Sequence, residues 1–246
     1  MANVAMGKDV IKGCLTGVSL FADLSASELD VLASAARSVR FSKGARIFEE
    51  DTPADCCFVL TSGKARVVLS GENGSEILLH IVTPPGVVGE MALLDRSMRS
   101  ASLVATEDCH LLRIPAPALA ALRANPAFEH RLVSRLAATV RESNDHVRVI
   151  TSLPCMNRVA WCLARIARDA GQRQGAAILI PNTSHAELAE MAACTRETVN
   201  RALMTMKRKK YLTWDRQTMR LDVDAMQRLL TTELSVPAGE RRQPPF

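Results

Sequence analysis

Aromatic residues are scarce in this 246-residue chain: six Phe, two Trp and one Tyr. Its cores must therefore be built from aliphatic side chains. No run approaches the roughly 20 apolar residues that a membrane-spanning helix needs. The opening residues, Met1-Ala2-Asn3-Val4-Ala5-Met6-Gly7-Lys8-Asp9, lack the basic segment and apolar stretch of a secretory signal. A cytoplasmic protein with no membrane partner is the expectation. Seven cysteines, an odd number without framework spacing, are expected to be reduced thiols. None forms a C-x2-C pair, and the five histidines form no HExxH pattern, so no metal is expected. Cys56 and Cys57 are adjacent, so a strand turns them to opposite faces. Cys14 stands alone, and Cys109, Cys155, Cys162 and Cys194 read as small buried hydrophobes. There is no P-loop, nucleophile elbow or dinucleotide fingerprint, and no acid–base or nucleophile constellation, so the chain is not expected to be an enzyme.

What is present is unevenly distributed. The net charge is +5, but Val147–Arg220 holds 13 Lys/Arg against 5 Asp/Glu. The rest of the chain holds 18 against 21. A basic excess confined to one segment points to a polyanionic partner and to salt-dependent binding. The length allows two domains with separate cores.

The hydrophobic period changes twice. Residues 1–36 read as helical, with a cap at Leu24-Ser25-Ala26-Ser27-Glu28 and Leu29, Leu32 and Ala36 on one face. Short β-type runs follow at Phe41, Ile47, 57–60, 65–69, 77–82, 101–105 and 110–114, separated by turn signals that include Asn73-Gly74. Many short antiparallel strands predict a sandwich or jelly-roll barrel. Asn125-Pro126 then opens a long helix to about Ser152, before the breaker Pro154. Val133, Leu136, Val140, Ser143, Val147 and Ile150 recur on it at spacings of three and four. That stripe suits a two-helix interface or a core-facing helix equally. A helix over 155–170, a polar loop at Asp169–Gly175, a short strand at 178–180 and a terminal helix over 222–234 complete the reading. The class is α+β, divided as 1–124 (β domain), 125–153 (long dimerisation helix), 154–234 (winged helix-turn-helix) and 235–246 (disordered tail).

Residues 184–212 carry the sharpest signal. A first helix is capped at Asn182/Thr183/Ser184 and buries Leu188, Ala189 and Met191. A second is capped near Thr195 and buries Val199, Leu203 and Met206. Arg196, Glu197, Asn200 and Arg201 fall on another face near its start. A recognition helix needs this layout, with Arg and Glu reaching base edges and the Thr195 and Thr198 hydroxyls reaching phosphate. Tyr211–Leu221 reads as the hairpin of a wing. The competing reading is an ordinary helical pair, with Lys207–Lys210 a solvated helix end.

A second constellation lies in the β domain. Gly86 and Gly89 allow close backbone approach, a short helix from Glu90 would present free N–H groups, Glu90 can accept from a hydroxyl, and Arg99 and Ser100 can hold a phosphate. A surface loop with an Arg–Glu pair is the plainer alternative.

The chain resembles the Crp/Fnr family of bacterial transcription regulators from about Leu20 to Leu230. Cys194-Thr195-Arg196-Glu197-Thr198-Val199-Asn200-Arg201 is similar to the family's recognition-helix signature. Gly89-Glu90-Met91-Ala92-Leu93-Leu94, followed by Arg99-Ser100-Ala101, is similar to the phosphate-binding cassette of cyclic-nucleotide-binding domains. The resemblance implies that Glu90 takes the ribose 2′-OH and that Arg99 and Ser100, with Gly89 backbone, hold the cyclic phosphate. Met91 and Ala92 belong to the same cassette. Ser143 and Asn144, one from each subunit of a homodimer, would meet the base. The implied effector is cyclic AMP or cyclic GMP, and the implied partners are a palindromic double-stranded DNA operator, a second copy and RNA polymerase, the last through the loop Asp169–Gly175. Arg196, Glu197 and Arg201 would read bases, with Thr195, Thr198 and Lys207 on the backbone. Where the cyclic-AMP-responsive branch has Thr-Ser against the base, this chain has Ser-Asn, which leaves the purine open. Alternatives are another effector (cyclic di-GMP, haem or none) or a cyclic-nucleotide module that acts on a protein partner.

Overall fold

The computed structural model describes residues 2–3, 6–71, 76–91, 94 and 97–233. The chain divides into two compact units, Met1–Ser143 and Asn144–Phe246. The Asn73-Gly74 turn, Ala92 and the tail 235–246 lie outside the described residues.

In the first unit, helices α1 (Lys8–Thr16) and α2 (Ala26–Ala35) lie between the first strand and the rest. The α2 cap is a reciprocal box: Ser25 accepts from Glu28 N, and the Glu28 carboxylate accepts from Ser25 N. The strands are β1 (Ala2–Asn3), β2 (Arg37–Phe41), β3 (Arg46–Phe48), β4 (Cys56–Ser62), β5 (Ala65–Ser70), β6 (Glu76–Val82), β7 (Gly86–Val88), β8 (Ser102–Ala105) and β9 (Cys109–Pro115). They form two antiparallel sheets, ordered β1-β2-β9-β4-β7 and β3-β8-β5-β6. Strand alternation explains the two cores. Cys56, Phe58 and Leu60 of β4 join Val39, Val67, Leu103 and Leu111 in one cluster. Cys57 and Val59 point the other way, into a cluster with Leu15, Phe21 and Leu32 of the N-terminal helical segment and with Phe128 and Leu132. The two cysteines thus sit on opposite faces, both buried.

Two expectations need correction here. Residues 1–36 are not wholly helical, because Ala2 and Asn3 pair with Arg40 and Val39. Gly86–Val88, read from the sequence only as part of a glycine-bearing ligand loop, is also a strand on the sheet edge, because Phe58, Val59 and Leu60 offer it an unpaired β4 edge.

Helix α3 (Ala116–Leu122) leads to α4 (Pro126–Ser152), 27 residues or about 40 Å long. Asn125 caps it, accepting from Ala127 N at 2.9 Å. Phe128 and Leu132 are its buried residues in the first unit, and His146 and Val149 in the second. The heptad stripe is not that face: Val133, Val140 and Val147 are 56%, 55% and 61% exposed. The core-helix reading of the stripe therefore fails.

The second unit contains α5 (Cys155–Ala170), β10 (Gln172–Gln174), β11 (Ala177–Pro181), α6 (His185–Ala192), α7 (Arg196–Arg208), β12 (Leu212–Trp214), β13 (Thr218–Asp222) and α8 (Val223–Glu233). Its antiparallel sheet runs β10-β11-β13-β12. The expected polar loop Asp169–Gly175 is instead a helix end and an edge strand, because Gln172, Arg173 and Gln174 pair with Leu179, Ile178 and Ala177. Among the described residues, no helix is long and apolar enough to cross a membrane.

Candidate functional site

Arg99 is built into the β domain at both ends. Its backbone N–H donates to Thr52 O at 2.8 Å, and its carbonyl accepts from Asp51 N at 2.9 Å. Its side chain is only 3% exposed. Nη1 donates to Gly89 O at 2.8 Å and Nη2 to Cys56 O at 2.6 Å, with Cζ 4.4 Å from the centre of the Phe48 ring. Among the described residues, Nε has no hydrogen-bond partner and no carboxylate pairs with this guanidinium. A buried cation without a counter-ion is costly, and an anionic ligand would relieve that cost.

Gly89 makes the arrangement possible. Its φ is +82°, and a Cβ there would stand 2.5 Å from Arg99 Nη1. The buried charge, the unused donor and the glycine cradle together fit a phosphate-bearing group.

Glu90 is 5% exposed. Its Oε1 accepts from Arg135 Nε of α4 at 2.6 Å, and Arg135 Nη2 donates to Val87 O at 2.5 Å. Glu90 itself is not helical, so the helix expected to begin there does not; Leu94 N donates to Met91 O at 3.0 Å, closing one turn. Met91 and Ser100 are exposed beside this cluster in sequence, and Ser143 and Asn144 are exposed on α4. Sequence reasoning missed Arg135, Phe48 and the Cys56 carbonyl. Only Arg135 left a trace, as a lone cation beside the apolar stripe position Leu136. Burial pushes the Cys56 thiol up to about 11, and Cys57 higher still, so both stay protonated.

In the second unit, the Ser184 side chain accepts from Glu187 N and the Glu187 carboxylate accepts from Ser184 N, a capping box that starts α6. Ala193, with φ +48°, turns the chain, and Thr195 caps α7 by accepting from Thr198 N at 3.2 Å. Val199, Ala202, Leu203 and Met206 are buried. Thr195, Arg196, Glu197, Asn200, Arg201 and Lys207 are exposed, and Thr198 half-buried. The two threonine hydroxyls lie 3.0 Å apart, and Arg201 Nη2 donates to Thr198 Oγ1 at 3.2 Å. Lys207 Nζ stands 4.3 Å from the centre of the Trp214 ring, which ties the end of α7 to the β12–β13 hairpin. Asp215 closes that hairpin, accepting from Gln217 N and Thr218 N at 2.8 Å each. These bonds hold its carboxyl below the usual range.

Residues 38–125 match the model of the cyclic nucleotide-binding domain, and residues 157–229 that of the Crp-like helix-turn-helix domain. The cyclic AMP receptor protein of Thermus thermophilus is 34% identical over 190 residues, 77% of this chain and 85% of that protein. The chain belongs to the Crp/Fnr family. As a Crp/Fnr protein it is a transcription regulator, not an enzyme, and its helix-turn-helix domain implies DNA binding. The CRP-like cAMP-activated global transcriptional regulator of Mycobacterium tuberculosis is 27% identical over 191 residues, 77% of this chain and 85% of its own. FixK2 from Bradyrhizobium japonicum shares the fold, with a TM-score of 0.71 at 20% identity over 82% of this chain and 98% of its own.

Proposed function

We propose that this Crp/Fnr regulator is a homodimer whose DNA affinity is set by a cyclic mononucleotide, cyclic AMP or cyclic GMP, bound in the β domain. The observation that carries the proposal is the buried Arg99 guanidinium with a free Nε and no carboxylate partner among the described residues. In the bound state Arg99 and Ser100, with Gly89, Met91 and Ala92 backbone, hold the cyclic phosphate. Glu90 accepts from the ribose 2′-OH. Ser143 and Asn144 act as base contacts contributed across the dimer. The exposed valines of α4 support the dimer, since a stripe of this length on a soluble helix calls for a matching stripe.

Helix α7 enters the major groove of a two-fold symmetric operator, with half-sites about one helical turn apart. Arg196, Glu197 and Arg201 face base edges, with Asn200 beside them; Thr195, Thr198 and Lys207 meet the phosphate backbone. RNA polymerase is proposed as a further partner at the segment Asp169–Gly175, and the cytoplasm as the compartment. The functional division is proposed as an effector domain over 1–124, a dimer helix over 125–153 and a DNA-binding domain over 154–234.

The experiment is calorimetric titration with cyclic AMP, cyclic GMP and cyclic di-GMP, with Arg99→Ala alongside. Binding of one cyclic mononucleotide that the variant loses is the expected result. Binding of cyclic di-GMP alone, or of none, would move the switch to another effector while leaving the DNA assignment standing.

A further inference from the structure

The DNA reading of α7 uses its charged, amide and hydroxyl side chains and leaves one residue of the same face unassigned. Met204 is 55% exposed. Among the described residues from 155 to 230, every other Val, Leu, Ile, Met, Tyr or Trp is buried or half-buried. A single apolar side chain at a surface needs no explanation in general. The place of this one does. At 3.6 residues per turn, Met204 lies about 150° from the centre of the buried stripe of Val199, Ala202, Leu203 and Met206, and so points almost directly away from the domain. On the helical wheel it falls about 20° from Glu197, about 40° from Asn200 and about 60° from Arg201. All three are exposed. Two long neighbours whose aliphatic stems could cover Met204 are held elsewhere. Arg201 donates from Nη2 to Thr198 Oγ1 at 3.2 Å, back toward the helix start. Lys207 reaches the Trp214 ring, with Nζ 4.3 Å from its centre.

We propose that Met204 is a specificity-determining residue of α7, packing the end of its side chain against the C5-methyl group of a thymine in the operator half-site. The proposal rests on reading α7 as the recognition helix. The thymine methyl is the apolar group that a base pair shows in the major groove, and cytosine, the other pyrimidine, has only hydrogen at that carbon.

Methionine has no hydrogen-bond donor and only a weak acceptor, so it cannot do at a purine edge what Arg or Asn does. Its unbranched, polarizable chain suits contact with a methyl group instead. Met204 lies seven residues beyond Glu197, about 10 Å along the helix axis, or the length of about three base steps. The thymine it meets therefore belongs to a base pair beyond the one assigned to Glu197. That pair is read by apolar contact, where its neighbours are read by hydrogen bonds. Packing Met204 against the methyl removes from water apolar surface that the free protein exposes.

The test uses the full-length protein. It selects an operator from a pool of random duplexes, with cyclic AMP or cyclic GMP present and absent. Each thymine of the half-site is then replaced in turn by deoxyuridine, which removes the methyl and keeps the base pairing. Wild-type affinity is expected to fall about fourfold per half-site at one thymine, the factor for one buried methyl group. Met204→Gln and Met204→Ala should bind the unmodified duplex weaker by about the same factor and lose nothing further from deoxyuridine at that position. A wild type indifferent to deoxyuridine at every thymine would overturn the proposal, as would variants that keep the wild-type loss at each one. Arg196→Ala, measured in parallel, separates the two readings. If it loses base selectivity while Met204 shows no coupling to any methyl, the Met204 assignment falls alone. If the wild type selects no duplex, or Arg196→Ala keeps full selectivity, the recognition-helix reading fails and the Met204 assignment with it.

Discussion

Arg135 holds Glu90 by a 2.6 Å hydrogen bond from Nε to Oε1, and the same guanidinium reaches the Val87 carbonyl oxygen. The buried carboxylate assigned to the ribose is thereby tied to the long helix α4. A ligand hydroxyl arriving at Glu90 must share it with Arg135. Under the proposed function, the pair is where ligand binding would act on α4.

Pairing of this sort is measured by a double-mutant cycle. Arg135→Met leaves a carboxylate with 5% exposure unpaired, while Glu90→Gln removes the charge. The singles are expected to destabilise more in sum than the double variant, with a coupling of about 0.5–3 kcal/mol in urea denaturation. Because the Arg135 side chain is about one-third exposed, solvent screening puts the expected value in the lower half of that range. Additive effects would remove the pair from this account.

Arg99 is expected to trade stability for binding. Its guanidinium is buried, stacked on Phe48 and short of a counter-ion among the described residues. Arg99→Met keeps the stem over the ring and removes the uncompensated charge. The nucleotide-free variant should melt at or above the wild-type temperature. Its cyclic-nucleotide affinity should fall about 30-fold or more, the factor that corresponds to roughly 2 kcal/mol for truncating a buried hydrogen-bonded charge. A variant that melts well below wild type yet binds normally would show that Arg99 is a structural cation.

Base-reading and backbone-holding residues separate by their salt response. Arg196, exposed at the start of α7, should on substitution by Ala lose about 1–3 kcal/mol on the preferred operator and discriminate less between base changes. Lys207→Ala should weaken binding evenly across sequences and reduce the slope of log affinity against log salt by about 1. Lys207 also lies over Trp214, so Trp214→Ala should mimic part of its effect by freeing the hairpin. Equal loss of selectivity in the Arg196 and Lys207 variants would erase the distinction. Binding titrations at several salt concentrations decide it.

The helix-turn-helix was legible because each of its signals is local. Ser184 and Thr195 are caps, and Val199, Leu203 and Met206 recur at helical spacing, so a window of a dozen residues holds the evidence. The two sheets were legible as a class from their alternation, but the edge strand Gly86–Val88 was not, because its pairing partner β4 lies 26 or more residues away. Gln172–Gln174 looked like a loop for another reason: three polar, exposed residues carry no apolar alternation and become a strand only through the register with Ala177–Leu179. In the candidate site, Glu90 and Arg99 stood out by residue type and spacing. Arg135, Phe48 and the Cys56 carbonyl did not, since long-range packing alone brings them to those two side chains. The stripe on α4 was visible as a period, and its exposure was not, because the sequence does not say which of two apolar faces the rest of the chain covers.

His146 supplies a pH dependence with a definite sign. It is buried on α4, edge-on to Trp161 at 5.8 Å between ring centres, and among the described residues neither ring nitrogen has a hydrogen-bond partner. Burial, aided by the Arg165 cation, holds its pKa below the ordinary 6.5. Between that lowered value and 6.5, the unfolded chain carries a proton that the folded chain refuses. Stability is therefore fully present above about pH 6.5 and declines as the pH falls toward the folded-state pKa, by at most about 1.4 kcal/mol per pH unit. The carboxylates with lowered values, Asp23, Glu28, Asp30, Asp55 and Asp215, act only near and below pH 4 and leave this window clear. His146→Phe preserves a ring against Trp161 and removes the titration. Urea denaturation from pH 8 to pH 5 should give a flatter profile for the variant than for the wild type. Parallel profiles would mean that His146 binds its proton equally in both states, and that the imidazole is solvated despite its place under Trp161.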